Sequence, residues 1–101
     1  MGTRLELQTL LEGLDPSVSV YFQPPPNVQM TYPAIVYNRD FRVAHFADNI
    51  PYAQTPRYQI TVIDANPDSL IPGKVGELPL TTFNRHYTTA GLNHDIYELY
   101  F

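Results

Sequence analysis

The stretch Arg57-Tyr58-Gln59-Ile60-Thr61-Val62-Ile63-Asp64 decides the fold class. Tyr58, Ile60 and Val62 recur at every second position, while Arg57, Gln59, Thr61 and Ile63 fall between them. Period-two alternation with one apolar and one largely polar face predicts an antiparallel strand solvated on one side. A strand covered on both faces would be apolar throughout.

Working outward, Asn93 to Phe101 alternates in the same way. Tyr97, Leu99 and Phe101 share one face, and Ile96, Glu98 and Tyr100 share the other. Thr81 to Thr88 precedes it, with Thr89-Ala90-Gly91-Leu92 between, so the two segments predict a hairpin. Upstream, Val18 to Phe22 and Tyr32 to Asn38 predict two more strands, and Arg39 to Ala47 a third. Pro24-Pro25-Pro26 predicts a stiff extended connection, a better account of it than a docking ligand for an aromatic groove. Asp48 to Pro56 carries two prolines and an Asp-Asn pair and predicts a loop.

Two helices complete the pattern. Thr3 and Glu6 have capping-box spacing, and Leu7, Leu10, Leu11 and Leu14 follow as one stripe, predicting a helix over 3–14. Asn66 followed by Pro67 predicts a second helix start, and Gly73, Gly76 and Pro79 keep that helix short. The expected architecture is α+β: an antiparallel sheet with both helices on one face, in the order α-β-β-β-β-α-β-β. The length, 101 residues, suits one domain.

Composition narrows the function. There is no cysteine, which excludes disulfides, zinc fingers and thiol nucleophiles and fits a reducing compartment. The net charge is -4, and the six cations Arg4, Arg39, Arg42, Arg57, Lys74 and Arg85 form no basic cluster that would neutralise phosphates. No apolar run approaches membrane-spanning length, and Met1 to Glu6 does not read as a secretory leader. Charged residues make up only 16% of the chain, against a usual share of about 25%. Much uncharged surface is therefore expected, of the kind that partners cover.

Catalytic chemistry finds little support. His45, His86 and His94 lack ligand spacing. His94-Asp95 offers a base beside an orienting carboxylate, and Asp64 with Asp68 offers paired carboxylates. Around Pro67, however, short polar side chains more often bond backbone N–H groups at strand ends and helix starts. No catalytic, metal-binding or cofactor-binding residue is expected. The eight tyrosines suit half-buried strand faces and interfaces. Two helices cannot cover both faces of the sheet, so tyrosines on the second face await another subunit.

Several strings stand out together: Val20-Tyr21-Phe22-Gln23-Pro24-Pro25, Tyr32-Pro33-Ala34-Ile35-Val36-Tyr37, Phe46-Ala47-Asp48-Asn49, Arg57 to Asp64, Pro67-Asp68-Ser69 with Ile71-Pro72, and Leu92-Asn93-His94-Asp95 running into Tyr97-Glu98-Leu99-Tyr100. Together they resemble a family of small minor structural proteins of long-tailed bacteriophages, the tail-completion or tail-terminator proteins of the head–tail joining region. The resemblance implies a subunit of a sixfold ring in the virion neck, assembled in host cytoplasm. The ring caps the tail tube protein, stops its polymerisation and meets the head–tail connector protein. A connector or stopper on the head side of the same neck is the alternative. DNA would pass through such a ring without sequence-specific binding, and a net negative charge suits that passage. Phe46, Asp48, Asn49, Ile50 and Tyr52 in the expected loop, with Tyr100 and Phe101, are the expected assembly residues. That loop keeps apolar residues where solvated loops are polar.

Overall fold

The computed structural model describes residues 3–47 and 50–101, and the side chains of 3–39 and 56–101. Helix α1 runs Arg4–Glu12. Its start is the capping box expected from the sequence. The Glu6 N–H donates to Thr3 Oγ1 at 3.2 Å, and the Thr3 N–H donates to Glu6 Oε1 at 3.1 Å. The helix is shorter than the predicted 3–14, because Gly13 caps it. Its stripe is also narrower. Leu7 and Leu11 are fully buried, whereas Leu10 is exposed.

Five strands follow in one sheet: β1 (Ser19–Phe22), β2 (Ala34–Ala47), β3 (Ile50–Asp64), β4 (Thr81–Thr89) and β5 (Leu92–Tyr100). The short helix α2 (Ile71–Gly76) lies between β3 and β4. The element order is therefore α-β-β-β-α-β-β, one strand fewer than expected. The sheet order is β1-β2-β3-β5-β4.

Three expectations are corrected. First, Tyr32–Asn38 and Arg39–Ala47 do not form two strands. They are one strand, β2, and a bulge absorbs the break in alternation. Arg39 pairs with Tyr58 and Phe41 with Arg57, leaving Asp40 as the extra residue. Second, Ile50 to Pro56 is not loop but the first half of β3, and Asp48 and Asn49 lie outside the described residues. The prolines are compatible with pairing because β5 pairs with β3 only over Arg57–Asp64. Beyond Arg57, β3 is an edge, where a missing N–H breaks no second ladder. Third, the sheet is mixed rather than antiparallel. β1 runs parallel to β2, with Val20 beside Ile35 and Phe22 beside Tyr37. The stiff proline segment carries the chain back across the sheet instead of turning it in a hairpin.

Helix α2 also begins later than Asn66-Pro67 suggests. Asp64 Oδ1 accepts from the Asn66 N–H and Asn66 Oδ1 from the Asp68 N–H, both at 2.9 Å. These two side-chain turns hold the backbone outside the helix until Ile71, whose N–H donates to Ser69 Oγ. The β4–β5 hairpin turns at Ala90 and Gly91, both with positive φ, as a two-residue hairpin turn requires. Asn84 is a bulge in β4, since Phe83 pairs with Tyr97 but Arg85 with Ile96.

The core lies between the two helices and one sheet face. Leu7 and Leu11 of α1 and Ile71 and Val75 of α2 meet Ile35, Tyr37, Tyr58, Ile60, Val62, Tyr97 and Leu99. Tyr37 sits at its centre. Its ring lies 4.9 Å from that of Phe22 and 6.0 Å from that of Tyr58. Its hydroxyl donates to Gln8 Oε1 and accepts from Arg4. On the far side, the Tyr97 hydroxyl donates to the Pro72 carbonyl at 2.8 Å. Burial, then the neighbouring Asp95, raises that hydroxyl's pKa above its ordinary value, so it remains a donor. Lys74 ties α2 to the segment that follows α1: its Nζ donates to the Leu14 carbonyl at 3.0 Å and pairs with Asp15 at 3.5 Å.

Two outcomes follow from these contacts. Tyr37→Phe keeps the ring and loses both hydroxyl bonds, so urea unfolding should show a loss of about 1–2 kcal/mol; Tyr37→Ala should lose about 3–5 kcal/mol. An unchanged midpoint for both would refute the central role of this residue. The Asp15 carboxyl is held below its ordinary pKa by the Ser17 hydroxyl, then by the Ser17 N–H, with Lys74 adding less. A carboxyl depressed in the folded state stabilises the fold above its unfolded pKa, and that contribution is lost as pH falls through the folded value. Ser17→Ala should therefore move the Asp15 titration upward in a carbon-detected NMR experiment, and by more than Lys74→Met does.

Candidate assembly surface

β1 pairs with β2 only up to Tyr37, and β5 pairs with β3 only from Arg57. β2 and β3 nevertheless pair with each other out to Ala47 and Ile50. At about 3.3 Å per residue this makes a two-stranded ribbon reaching roughly 20 Å past the body of the sheet. The described molecule measures 50 × 23 × 23 Å. A two-stranded ribbon alone is marginal in water, and stability comes with a third strand or a packed face.

The expected assembly residues divide between the two ends of this ribbon. Phe46, Ile50 and Tyr52 lie near its far end, and Asp48 and Asn49 lie outside the described residues. Tyr52 is the bulged residue there, since His45 pairs with Ala53 and Phe46 with Pro51. Tyr100 and Phe101 are at the root instead. Tyr100 pairs with Arg57, and the Phe101 N–H donates to the Pro56 carbonyl at 3.2 Å. Phe101 packs against the core and is half-buried. The structure thus places Tyr100 and Phe101 as the support of the ribbon, not beside Phe46.

The second sheet face holds what sequence reading missed. The proline segment of the same chain lies over it. Pro24, Pro25, Pro26, Val28 and Met30 form one wall of a groove of about 330 Å³, and Val36, Thr61, Ile63, Tyr87 and His94 form the other. Ala34, Ile63 and Ile96 are buried on this side. The expectation that only another subunit could cover this face is corrected to that extent. Tyr21 is half-buried and its hydroxyl accepts from the Thr31 N–H, while Tyr32 and Tyr87 remain exposed. A signal was present in the sequence: an apolar Val28 and Met30 within four residues of the three prolines.

The candidate catalytic pairs do not assemble. His94 and Asp95 are neighbours in a strand and so face opposite sides. The His94 ring stacks on Tyr87 with centroids 4.6 Å apart, and its Nδ1 lies 3.2 Å from the Leu92 carbonyl. Asp95 pairs instead with His86, at 2.8 Å, across the hairpin. The Asp64 carboxylate accepts from the Asn66 N–H in the turn before α2, and Asp68 enters the next turn through its backbone N–H rather than its carboxyl. Among the described residues no cluster of three His, Asp or Glu could hold a metal, and no helix is long and apolar enough to cross a membrane.

Exposed apolar groups lie around α2 and β4 and also on α1, where Leu5 is exposed. Leu70 and Leu80 bracket α2 and are 75% and 71% exposed, and Phe83 in β4 is 53% exposed. Every residue of β4 after Thr81 is exposed. Comparison with family models, curated proteins and solved structures gave no match to this chain.

The two sides of the groove differ in depth, and substitution should separate them. Ile63→Ala removes a side chain that is 6% exposed and should cost about 2–4 kcal/mol. Tyr87→Ala loses only an exposed stack and should cost about 1 kcal/mol or less. Thermal melting of both variants checks this, and equal losses would contradict the described cover over Ile63.

Proposed function

We propose that this chain is a structural subunit of a ring at the end of a long-tailed phage tail. The ring caps the tail tube, halts its polymerisation and presents a face to the head connector. Six copies close the ring, the central opening passes DNA without reading its sequence, and the complex belongs to the neck of the virion after assembly in host cytoplasm. No catalytic role is part of the proposal.

The observation that carries this reading is the β2–β3 ribbon. It extends from the body of a small domain and bears Phe41, Val43, Phe46, Ile50 and Tyr52 in its sequence, in a chain with few charges elsewhere. Such an element suits contact with other subunits, and head-to-tail contacts that close on themselves make rings. The strings that resemble those of tail-completion proteins point the same way, and the resemblance extends over nearly the whole chain.

The double variant Phe46→Ala, Tyr52→Ala tests the proposal. It should keep the circular dichroism and melting of the parent, and lose ring formation and tail attachment in electron micrographs of particles. Particles assembled normally with the variant would rule the proposal out. Labelled subunits found on the head side of the tail-tube end, with tube length uncontrolled by their loss, would favour a connector instead.

A further inference from the structure

The sheet has two edges, and they differ. On β1, the Val20 carbonyl accepts from Gln8 Nε2 at 3.4 Å, so helix α1 covers that edge. β4 at the other edge is nine residues long, without proline or lysine, and exposed from Thr82 onward. Only the Asn84 bulge and Arg85 interrupt it. An uncovered edge of this length is a template for strand addition.

Three features indicate the occupant. Self-pairing of two β4 edges about their midpoint would set Arg85 against Arg85, which is unfavourable. The ribbon, in contrast, has outer edges that lie beyond both β1 and β5. Of its two strands, β3 carries Pro51 and Pro56, whereas β2 from Asp40 to Ala47 has no proline and keeps every N–H. A third feature is apolar: Phe41, Val43 and Phe46 lie in that proline-free stretch of β2, and the apolar Leu80 and Phe83 sit at the start of the β4 edge.

We infer that the β2 strand of one copy's ribbon adds to the β4 edge of a second copy. The contact is head-to-tail, because ribbon and β4 edge are different surfaces of the same chain. It rests on the reading of the chain as a self-assembling subunit, and it names the surface that receives the ribbon.

The test uses sedimentation of full-length chains. The wild type associates as concentration rises. Phe83→Asp removes the receiving surface, and Arg42→Glu with Phe46→Asp places two acids on the ribbon's β2 strand; each variant alone is monomeric. Mixed in equal amounts they form a dimer of twice the monomer mass and nothing larger, since one intact ribbon meets one intact edge. Because the chain has no cysteine, Ala44→Cys on one chain and Asn84→Cys on another should give an intermolecular disulfide on oxidation. Ala44→Cys with Ser19→Cys, on the covered edge, should give at least about tenfold less. A wild type that stays monomeric overturns both the subunit reading and this inference. A wild type that assembles while the mixture stays monomeric, or while the Ser19→Cys pair crosslinks best, overturns the strand addition alone.

Discussion

Tyr37 is the residue on which the arrangement of the domain turns. It is buried completely, yet it carries a polar atom. A buried hydroxyl must find partners or cost about 1–3 kcal/mol. Those partners, Gln8 and Arg4, both come from α1. The ring meanwhile touches β1 through Phe22 and β3 through Tyr58. One side chain therefore sets the height of the helix over the sheet and the position of the parallel edge strand. Gln8 extends the same constraint, because its amide also reaches the Val20 carbonyl. Covering the β1 edge and satisfying the Tyr37 hydroxyl are two results of one helix placement.

The parts legible in the sequence were those governed by local chemistry. The capping box at Thr3 and Glu6, the alternation of Arg57 to Asp64 and the hairpin around Ala90-Gly91 each depend on near neighbours, and each is present. The parts that were not legible depend on what lies across the sheet. Prolines 51 and 56 look like loop residues unless β5 is known to stop at Arg57. Asp40 looks like a strand boundary unless a bulge is known to absorb it. The parallel pairing of β1 could not be read from Val18 to Phe22, because alternation is the same in either direction. At the candidate surface, the apolar character of Phe46 to Tyr52 was visible. Its place on a ribbon was not, and neither was the role of Tyr100 and Phe101 as the ribbon's base.

The low charge content acquires a location in the fold. The proline segment conceals part of the second face, so uncharged surface there is internal to the chain. Among the described side chains, the uncovered surface includes the β4 edge with Leu70, Leu80 and Phe83 nearby, and Leu5 of α1. Acidic groups in the body are partly engaged: Asp15 with Lys74, Asp95 with His86, and Glu98 with Arg57 and Asn84. These pairs are partly exposed and each is worth little alone. They consume charge that would otherwise keep copies apart.

The Asn84 bulge has a consequence for how one strand serves two environments. Phe83 and Tyr87 are separated by an even number of positions, so an uninterrupted strand would point both to the same side. With one residue inserted, parity inverts midway. Phe83 meets Tyr97 edge-on with centroids 5.4 Å apart, on the face that carries the helices, and Tyr87 stacks on His94 beneath the prolines. The strand thereby divides its aromatic residues between opposite compartments without changing its sequence pattern. Loss of a single residue at this point would merge the two sets. Both rings would then lie on one side of the strand, and the other side would lose the aromatic contact it now has.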